Sequence, residues 1–329
     1  MKPESLPSFR AFDYRVRTNK SAERRMLGEA FRRLAFIYPV ESYRYIGFGS
    51  TTFADFVLFH KTLNIKEMIS IEKREEYRER FEFNRPFSCI DMKYGDSNNI
   101  LPELSWDSPT IVWLDYDGVL TESVLQDIAF VSTKVISGSL LIVSVNANQY
   151  KQPKDKRYED VEEELLEKFR KQISYESLPA WIRATNLQGD TNMARTCQRI
   201  MLDTVDERLR DRNGLLGAEE TLAFRLLFNF IYSDNAQMLT VGGIIYNSAH
   251  TELLKKCEFE KLDYVSKNSE DLYEIKIPVL TPRERHYLNQ RLPHGTKEDA
   301  MKIGLKEDEI SDFARLYRYA PAYAEVELS

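Results

Sequence analysis

With 329 residues, 43% of them hydrophobic and 30% charged, the chain can bury a full core, which argues against a disordered chain and leaves room for one large domain or two smaller ones. Its 46 basic and 52 acidic residues give a formal net charge of −6, so nothing draws the whole molecule to phosphate backbones or anionic membranes. Cys89, Cys197 and Cys257 are far apart and lack CxxC spacing, no window approaches the roughly 18 apolar residues of a membrane span, and Met1-Lys2-Pro3-Glu4-Ser5 carries no apolar leader, all of which predicts a reduced, soluble, cytoplasmic protein.

In chain order, Ser21 reads as the cap of a first helix in which Met26, Leu27, Ala30, Phe31, Leu34 and Ala35 recur at helical spacing. From Tyr43 the pattern alternates. Strands are predicted at Tyr43–Phe48, Met68–Glu72, near Cys89–Met92, at Thr110–Tyr116 and at Ser139–Val145, with helices between them at Phe53–Leu63, Glu75–Phe83 and Glu122–Val135. Parallel neighbours need crossover connections, so this run of strand–helix units predicts a doubly wound, mostly parallel α/β sheet.

After Asn148 the polar, largely basic run Lys151-Gln152-Pro153-Lys154-Asp155-Lys156-Arg157 breaks the pattern, and helices are predicted at Glu159–Ile173, Thr191–Arg210 and Ala218–Tyr232. Strand-like runs return at Met238–Tyr246, Phe259–Val265 and Leu272–Pro278, the last two joined by a turn-rich link that suits a C-terminal antiparallel pair. The expected organisation is a helical segment at 1–42, a Rossmann-like core at 43–148, a helical insertion at 149–235, late strands completing the sheet at 236–280 and a helical extension at 281–329. An independent second domain is the alternative.

Ligands of an open α/β sheet lie beyond the carboxyl ends of its strands, and the residues expected there are small or acidic. The first strand runs into Tyr45-Ile46-Gly47-Phe48-Gly49-Ser50-Thr51-Thr52, whose glycines let the backbone approach a ligand while the next helix points free N–H groups at it. Glu72 ends the second strand beside Lys73 and Arg74, where a carboxylate accepts both hydroxyl hydrogens of a ribose; a solvated surface glutamate is the plainer reading. Asp96 and Ser97 follow the third strand, placed either to meet the exocyclic amine of an adenine or to cap the turn before Ile100. Asp115 ends the most apolar strand and is expected to emerge with Tyr116 and Asp117 at the sheet's carboxyl edge, although Asp117-Gly118 also suits a plain turn.

Taken together, these positions resemble the class I S-adenosylmethionine-dependent methyltransferase superfamily, over roughly Tyr43 to Asn148. The resemblance matches Gly47, Phe48, Gly49, Ser50 and Thr51 to the glycine-rich first motif, Glu72 with Lys73 to the ribose ligand, Asp96 with Ser97 to the adenine side, and Asp115-Tyr116-Asp117-Gly118 to the motif near methyl donor and acceptor. Tyr45 or Arg44 stands where an acid usually precedes the glycines, and Thr51 where the third glycine usually stands. It implies S-adenosyl-L-methionine as cofactor and direct in-line transfer, with Asp115 or Asp117 orienting an acceptor or taking its proton and Tyr116 stacking on or bonding to a planar acceptor. A ring of carboxylates disfavours phosphates but not a sulfonium, and Gly47-x-Gly49-x-x-Thr52 lacks the last glycine of a dinucleotide fingerprint, so NAD ranks lower.

The acceptor class stays open among small molecule, protein and RNA. The basic residues Lys151, Lys154, Lys156 and Arg157 border the expected acceptor side, which the helical insertion would shape. His60, His250, His286 and His294 lack metal-ligand spacing, and no Gly-x-Ser-x-Gly elbow or GxxxxGK[ST] loop occurs, so no metal, hydrolase or NTPase chemistry is expected. The run from Ala300 to Phe313 has helix-turn-helix spacing, yet Glu307, Asp308, Glu309 and Asp312 argue against reading DNA and for a packed helix pair or a protein-docking element. Tyr317, Tyr319 and Tyr323 suit a subunit interface, in a homo-oligomer or a protein complex, or a cap on the core. From another functional class comes a non-catalytic nucleotide- or protein-binding module of the same fold acting within a multi-protein assembly.

Overall fold

Apolar strands alternating with amphipathic helices assemble around one mixed sheet in the computed structural model, which describes residues 17–150, 158–174, 178–217, 219–294 and 303–322. The strands are β1 Arg44–Gly47, β2 Glu67–Glu72, β3 Ile90–Tyr94, β4 Thr110–Val119, β5 Ser139–Asn146, β6 Leu222–Ser233, β7 Gln237–Asn247 and β8 Tyr273–Ile275. Their spatial order is β3-β2-β1-β4-β5-β7-β6-β8. The first five run parallel, β7 lies antiparallel between β5 and β6, and β8 joins β6 in parallel. The helices are α1 Thr18–Arg33, α2 Ala54–Leu63, α3 Arg78–Asn84, α4 Ser97–Ile100, α5 Glu122–Lys134, α6 Tyr158–Ile173, α7 Asp190–Asn213, α8 Thr251–Lys256, α9 Pro282–Asn289 and α10 Glu307–Leu316.

Alternate residues of the inner parallel strands feed two cores. Tyr45, Met68, Trp113 and Ile142 pack with Met26 and Phe31 of α1 and with Phe56 and Phe59 of α2. Ile46, Ile69, Val112 and Val143 pack on the other face with Ile128 of α5, Phe169 of α6 and Met201 of α7. Burial on both faces is why β4 and β5 read as near-continuous apolar runs.

The late part of the chain departs from expectation. The helix predicted over Ala218–Tyr232 is strand from Leu222 onward. Its apolar run lacks alternation, and a register shift between Leu226 and Phe228 disrupts what period remains. An antiparallel pair is present, but β6 and β7 form it rather than Phe259–Val265 and Leu272–Pro278. Phe259–Lys261 is a single 3-10 turn entered through Glu258 at φ 48°, and Tyr273–Ile275 pairs in parallel with β6. Phe259, Leu262, Tyr264 and Val265 all enter the core, and that concentration of apolar side chains imitates a strand.

Helix α1 begins at Thr18, three residues before the expected cap at Ser21. Its first N–H groups are satisfied from elsewhere: the Asp234 carboxylate, in the β6–β7 turn, accepts from Asn19 N and Lys20 N, each at 3.1 Å. Replacing Asp234 with Ala is expected to lower stability by about 1 kcal/mol, read as a shift in urea midpoint; an unchanged midpoint would show that solvent caps the helix equally well. Further along α1, Asn19 Oδ1 accepts from Ile277 N at 2.9 Å, Met26 O accepts from Tyr264 Oη at 2.7 Å, and Glu29 meets Arg318 Nη2 at 2.6 Å.

Near the end of the chain, α9 and α10 share a small core of Leu288, Leu305, Ile310 and Phe313. The basic run 151–157, residues 300–302 of the helix-turn-helix segment and Tyr323 lie outside the described residues. Among the described residues no helix is long and apolar enough to cross a membrane.

Candidate active site

The strand order turns back between β1 and β4, and an open α/β sheet has its crevice at such a switch point. β1 ends there at Gly47, and the chain turns tightly into α2. Gly49 N donates to Ser70 Oγ at 3.0 Å. A Cβ on Gly49 would lie 2.4 Å from Phe53 Cδ1 and 2.7 Å from Ser70 Oγ, and one on Gly47 would lie 2.8 Å from Tyr45 Oη. Ser50 at φ 54° and Phe53 at φ 48° both hold left-handed backbone, a conformation that side chains resist and that the buried Phe53 ring anchors here. Ser50 Oγ is buried and has no hydrogen-bond partner among the described residues.

Glu72 is 8% exposed and so is no solvated surface glutamate. Its Oε1 accepts from Ser50 N at 2.7 Å and from Ser70 Oγ at 3.2 Å. Burial pushes its carboxyl up, to about 7, against the opposing pull of these bonds. Gly95 N donates to the Glu72 carbonyl at 3.0 Å, and the exposed Lys73 Nζ meets Asp96 Oδ1 at 2.5 Å. Asp96 makes no side-chain cap on α4. The turns after β1, β2 and β3 are thereby tied into one rim.

Strand alternation separates the three β4 residues that were expected to emerge together. Asp115 faces α1, where Lys20 Nζ lies 2.5 Å from its Oδ1. Tyr116 points to the opposite face, where its hydroxyl donates to Asp127 Oδ2 of α5 at 2.5 Å. Ser97 Oγ donates to that same oxygen, and Asn98 Nδ2 donates to Asp127 Oδ1 at 2.6 Å. The Tyr116 ring meets Phe48 edge-on with centroids 5.1 Å apart. Asp117 is about half exposed, with Arg17 Nη1 at 3.9 Å. Gly49, Ser50 and Glu72 are thus brought together, as are Phe48, Ser97 and Tyr116, while Asp115 stands apart among the charges of α1.

Several residues around the site escaped sequence reasoning. Ser70 is a small polar residue inside an apolar strand. Asp127 lies on the stripe of Val124, Ile128 and Val131, and Lys20, Glu23 and Arg24 continue the stripe of Leu27, Ala30 and Phe31. A charge at an apolar stripe position was the available signal. Asp55, buried in the first turn of α2, accepts a hydrogen bond from Tyr45 Oη, so a carboxylate lies beside the turn although the strand itself lacks one. Burial raises the Asp55 carboxyl, with Arg24 opposing the shift.

A family model described as "Putative O-methyltransferase" matches residues 12–328. The chain belongs to this methyltransferase family. No curated protein matches it by sequence. Among solved structures, the methyltransferase is similar to the SAH-bound methyltransferase of Podospora anserina, at 10% identity over 72% of this chain and 81% of that one, TM-score 0.36. Human N-acetylserotonin methyltransferase in complex with SAM aligns at 10% identity over 73% and 60% of the two chains, TM-score 0.32. An O-methyltransferase family protein from Burkholderia thailandensis aligns at 10% identity over 73% and 63%, TM-score 0.34. The parallel half of the methyltransferase, with Glu72 and the glycine turn at its switch point, is the α/β fold that the alternating pattern predicts.

Proposed function

We propose that this methyltransferase binds S-adenosyl-L-methionine over the turns after β1, β2 and β3 and transfers its methyl group to an acceptor oxygen held beyond β4. The observation that carries this reading is the buried Glu72 carboxylate, fixed by Ser50 N and Ser70 Oγ at the lip of the switch-point crevice. The residues present fit the group. Gly47 and Gly49 keep the turn free of side chains of its own, Ser50 Oγ is a buried polar atom with no partner among the described residues, and Glu72 and Asp96 are the carboxylates of the rim, with Lys73 paired to Asp96. Such a donor set favours hydroxyls and a positive centre over phosphate.

When bound, the cofactor supplies an electrophilic sulfonium methyl. Glu72 accepts from the ribose hydroxyls, with Phe48, Ser50, Thr51 and Lys73 around the same end, and Asp96 and Ser97 border the base. Asp115 orients the acceptor or receives its proton, Tyr116 walls the crevice from the opposite face, and Asp117 stands at the exposed rim. Holding reactants in line accounts for most of what such a site has to do. The acceptor is a small molecule, a protein or an RNA.

Calorimetry with S-adenosylmethionine and S-adenosylhomocysteine tests this reading, and no saturable binding of either would overturn it. A ribose bonds to the ionised form of Glu72. With the folded-state value near 7 and the ordinary value at 4.5, that form is a minority at pH 6 and dominant at pH 8. Affinity for S-adenosylhomocysteine is therefore expected to rise with pH, by about tenfold between those points. Glu72→Gln should flatten the slope, and a slope that survived would assign the titration to another group.

A further inference from the structure

The buried charges at the start of α1 have no part in the reading above. Lys20 is 2% exposed and Glu23 fully buried. Lys20 Nζ lies 2.5 Å from Asp115 Oδ1, 2.8 Å from Glu23 Oε2 and 4.4 Å from the centre of the Trp113 ring. The partners of the ammonium are themselves held. Thr240 Oγ1 donates to Glu23 Oε1 and lies 2.7 Å from Ser144 Oγ, which accepts from Trp113 Nε1 at 3.0 Å. Arg24, one residue on, opposes Asp55, whose carboxylate takes the Tyr45 hydroxyl.

Lys20 and Arg24 thus meet Glu23, Asp55 and Asp115, two cations against three carboxylates. Asp115, with about a quarter of its side chain exposed, is the most exposed carboxylate of this group and stands on β4 beside the switch point. A buried ion pair contributes little net stability by itself, so a lysine shared between a deeply buried acid and one at the site calls for another account. We propose that Lys20 is a positioning residue: from α1 it sets the direction of the Asp115 carboxylate and how much of that negative charge is felt by a cationic group in the crevice. The proposal rests on the reading of the crevice as an adenosyl site.

S-adenosylmethionine carries a positive sulfonium where S-adenosylhomocysteine has a neutral thioether, so the ratio of their affinities reports the charge at that point without any acceptor. Calorimetric ratios are to be measured for the wild type, Asp115→Asn, Lys20→Met and the charge-balanced double variant Lys20→Met/Glu23→Gln. Asp115→Asn should lower the preference for the sulfonium. Lys20→Met should raise it, by about tenfold, because the Asp115 charge is no longer neutralised; a merely structural role would weaken both ligands together. If Lys20→Met does not fold, the double variant decides by the same ratio. A wild type that binds neither ligand overturns the adenosyl site and this proposal with it. Binding whose ratio moves in Asp115→Asn but stays fixed in the Lys20 variants overturns the role of Lys20 alone.

Discussion

Gly49→Ala is expected to destabilise the protein by about 3 kcal/mol and to abolish saturable binding of S-adenosylhomocysteine at concentrations that fill the wild type. The added methyl would sit 2.4 Å and 2.6 Å from two Phe53 ring atoms and 2.7 Å from Ser70 Oγ. None of these neighbours can yield cheaply. Phe53 is fully buried on left-handed backbone between β1 and α2, and Ser70 Oγ already bonds Gly49 N and Glu72. Any shift must pull the turn off Ser70 and release Ser50 N from Glu72, which removes the fixed carboxylate that the ribose would meet. The sign of the stability change is diagnostic, because Gly→Ala at an unstrained position stabilises by roughly 0.4–1 kcal/mol through the unfolded chain. A variant as stable as the wild type in urea, with unchanged affinity, would show that the turn relaxes without cost and that its tightness has no role.

Asp127→Ala should cost a similar amount, about 3 kcal/mol, while lying outside the glycine turn altogether. Asp127 is 1% exposed, and burial raises its carboxyl against the bonds from Ser97, Tyr116 and Asn98. Removing it leaves the Tyr116 hydroxyl only Ser97 Oγ, at 3.5 Å, and leaves α4 tied to α5 by Asn98 and Ser123 alone. Asp127→Asn keeps part of the acceptor set and is expected to lose about 1 kcal/mol. Both losses are readable by urea denaturation, and affinity for the adenosyl ligand should fall in the same order as Ser97 and Tyr116 lose their anchor. If Asp127→Ala unfolded at the wild-type midpoint, the three bonds would be contributing nothing net.

What could be read in the chain follows from how local its causes are. Gly47, Gly49 and Glu72 could be placed at the carboxyl ends of β1 and β2 because a strand buried on both faces ends abruptly and the next residues must be small or acidic. The parallel half was legible for the same reason. In β6 the apolar run and a register shift erased the period that would have marked a strand, so Leu222–Tyr232 read as helix. The start of α1 was misplaced because Asp234, more than 200 residues away, supplies the cap that a local serine was expected to give. Asp115 and Tyr116 were expected to emerge together and do not, since neighbours on a strand point to opposite faces. Asp127 and Lys20 announce themselves only once the apolar stripes of their helices are drawn and a charge is found on them.

The dependence of α1 on remote partners also fixes when the crevice can be completed. Met26 bonds a tyrosine 238 residues later, and Glu29 pairs with an arginine 289 residues later. Contacts of such sequence separation form late, after the loops between them have closed. On the ribosome, β1 to β5 can pair and α1 can pack on α2 while the remainder is still being made, but the first turn of α1, which carries Lys20, gains its Asp234 cap only once the chain has emerged past β6. A nascent chain halted before Asp234 would own every glycine and acid of the rim and yet lack the carboxylate that takes the first N–H groups of α1, so arrested or proteolytically shortened molecules of that length should fray at the turn of α1 that carries Lys20.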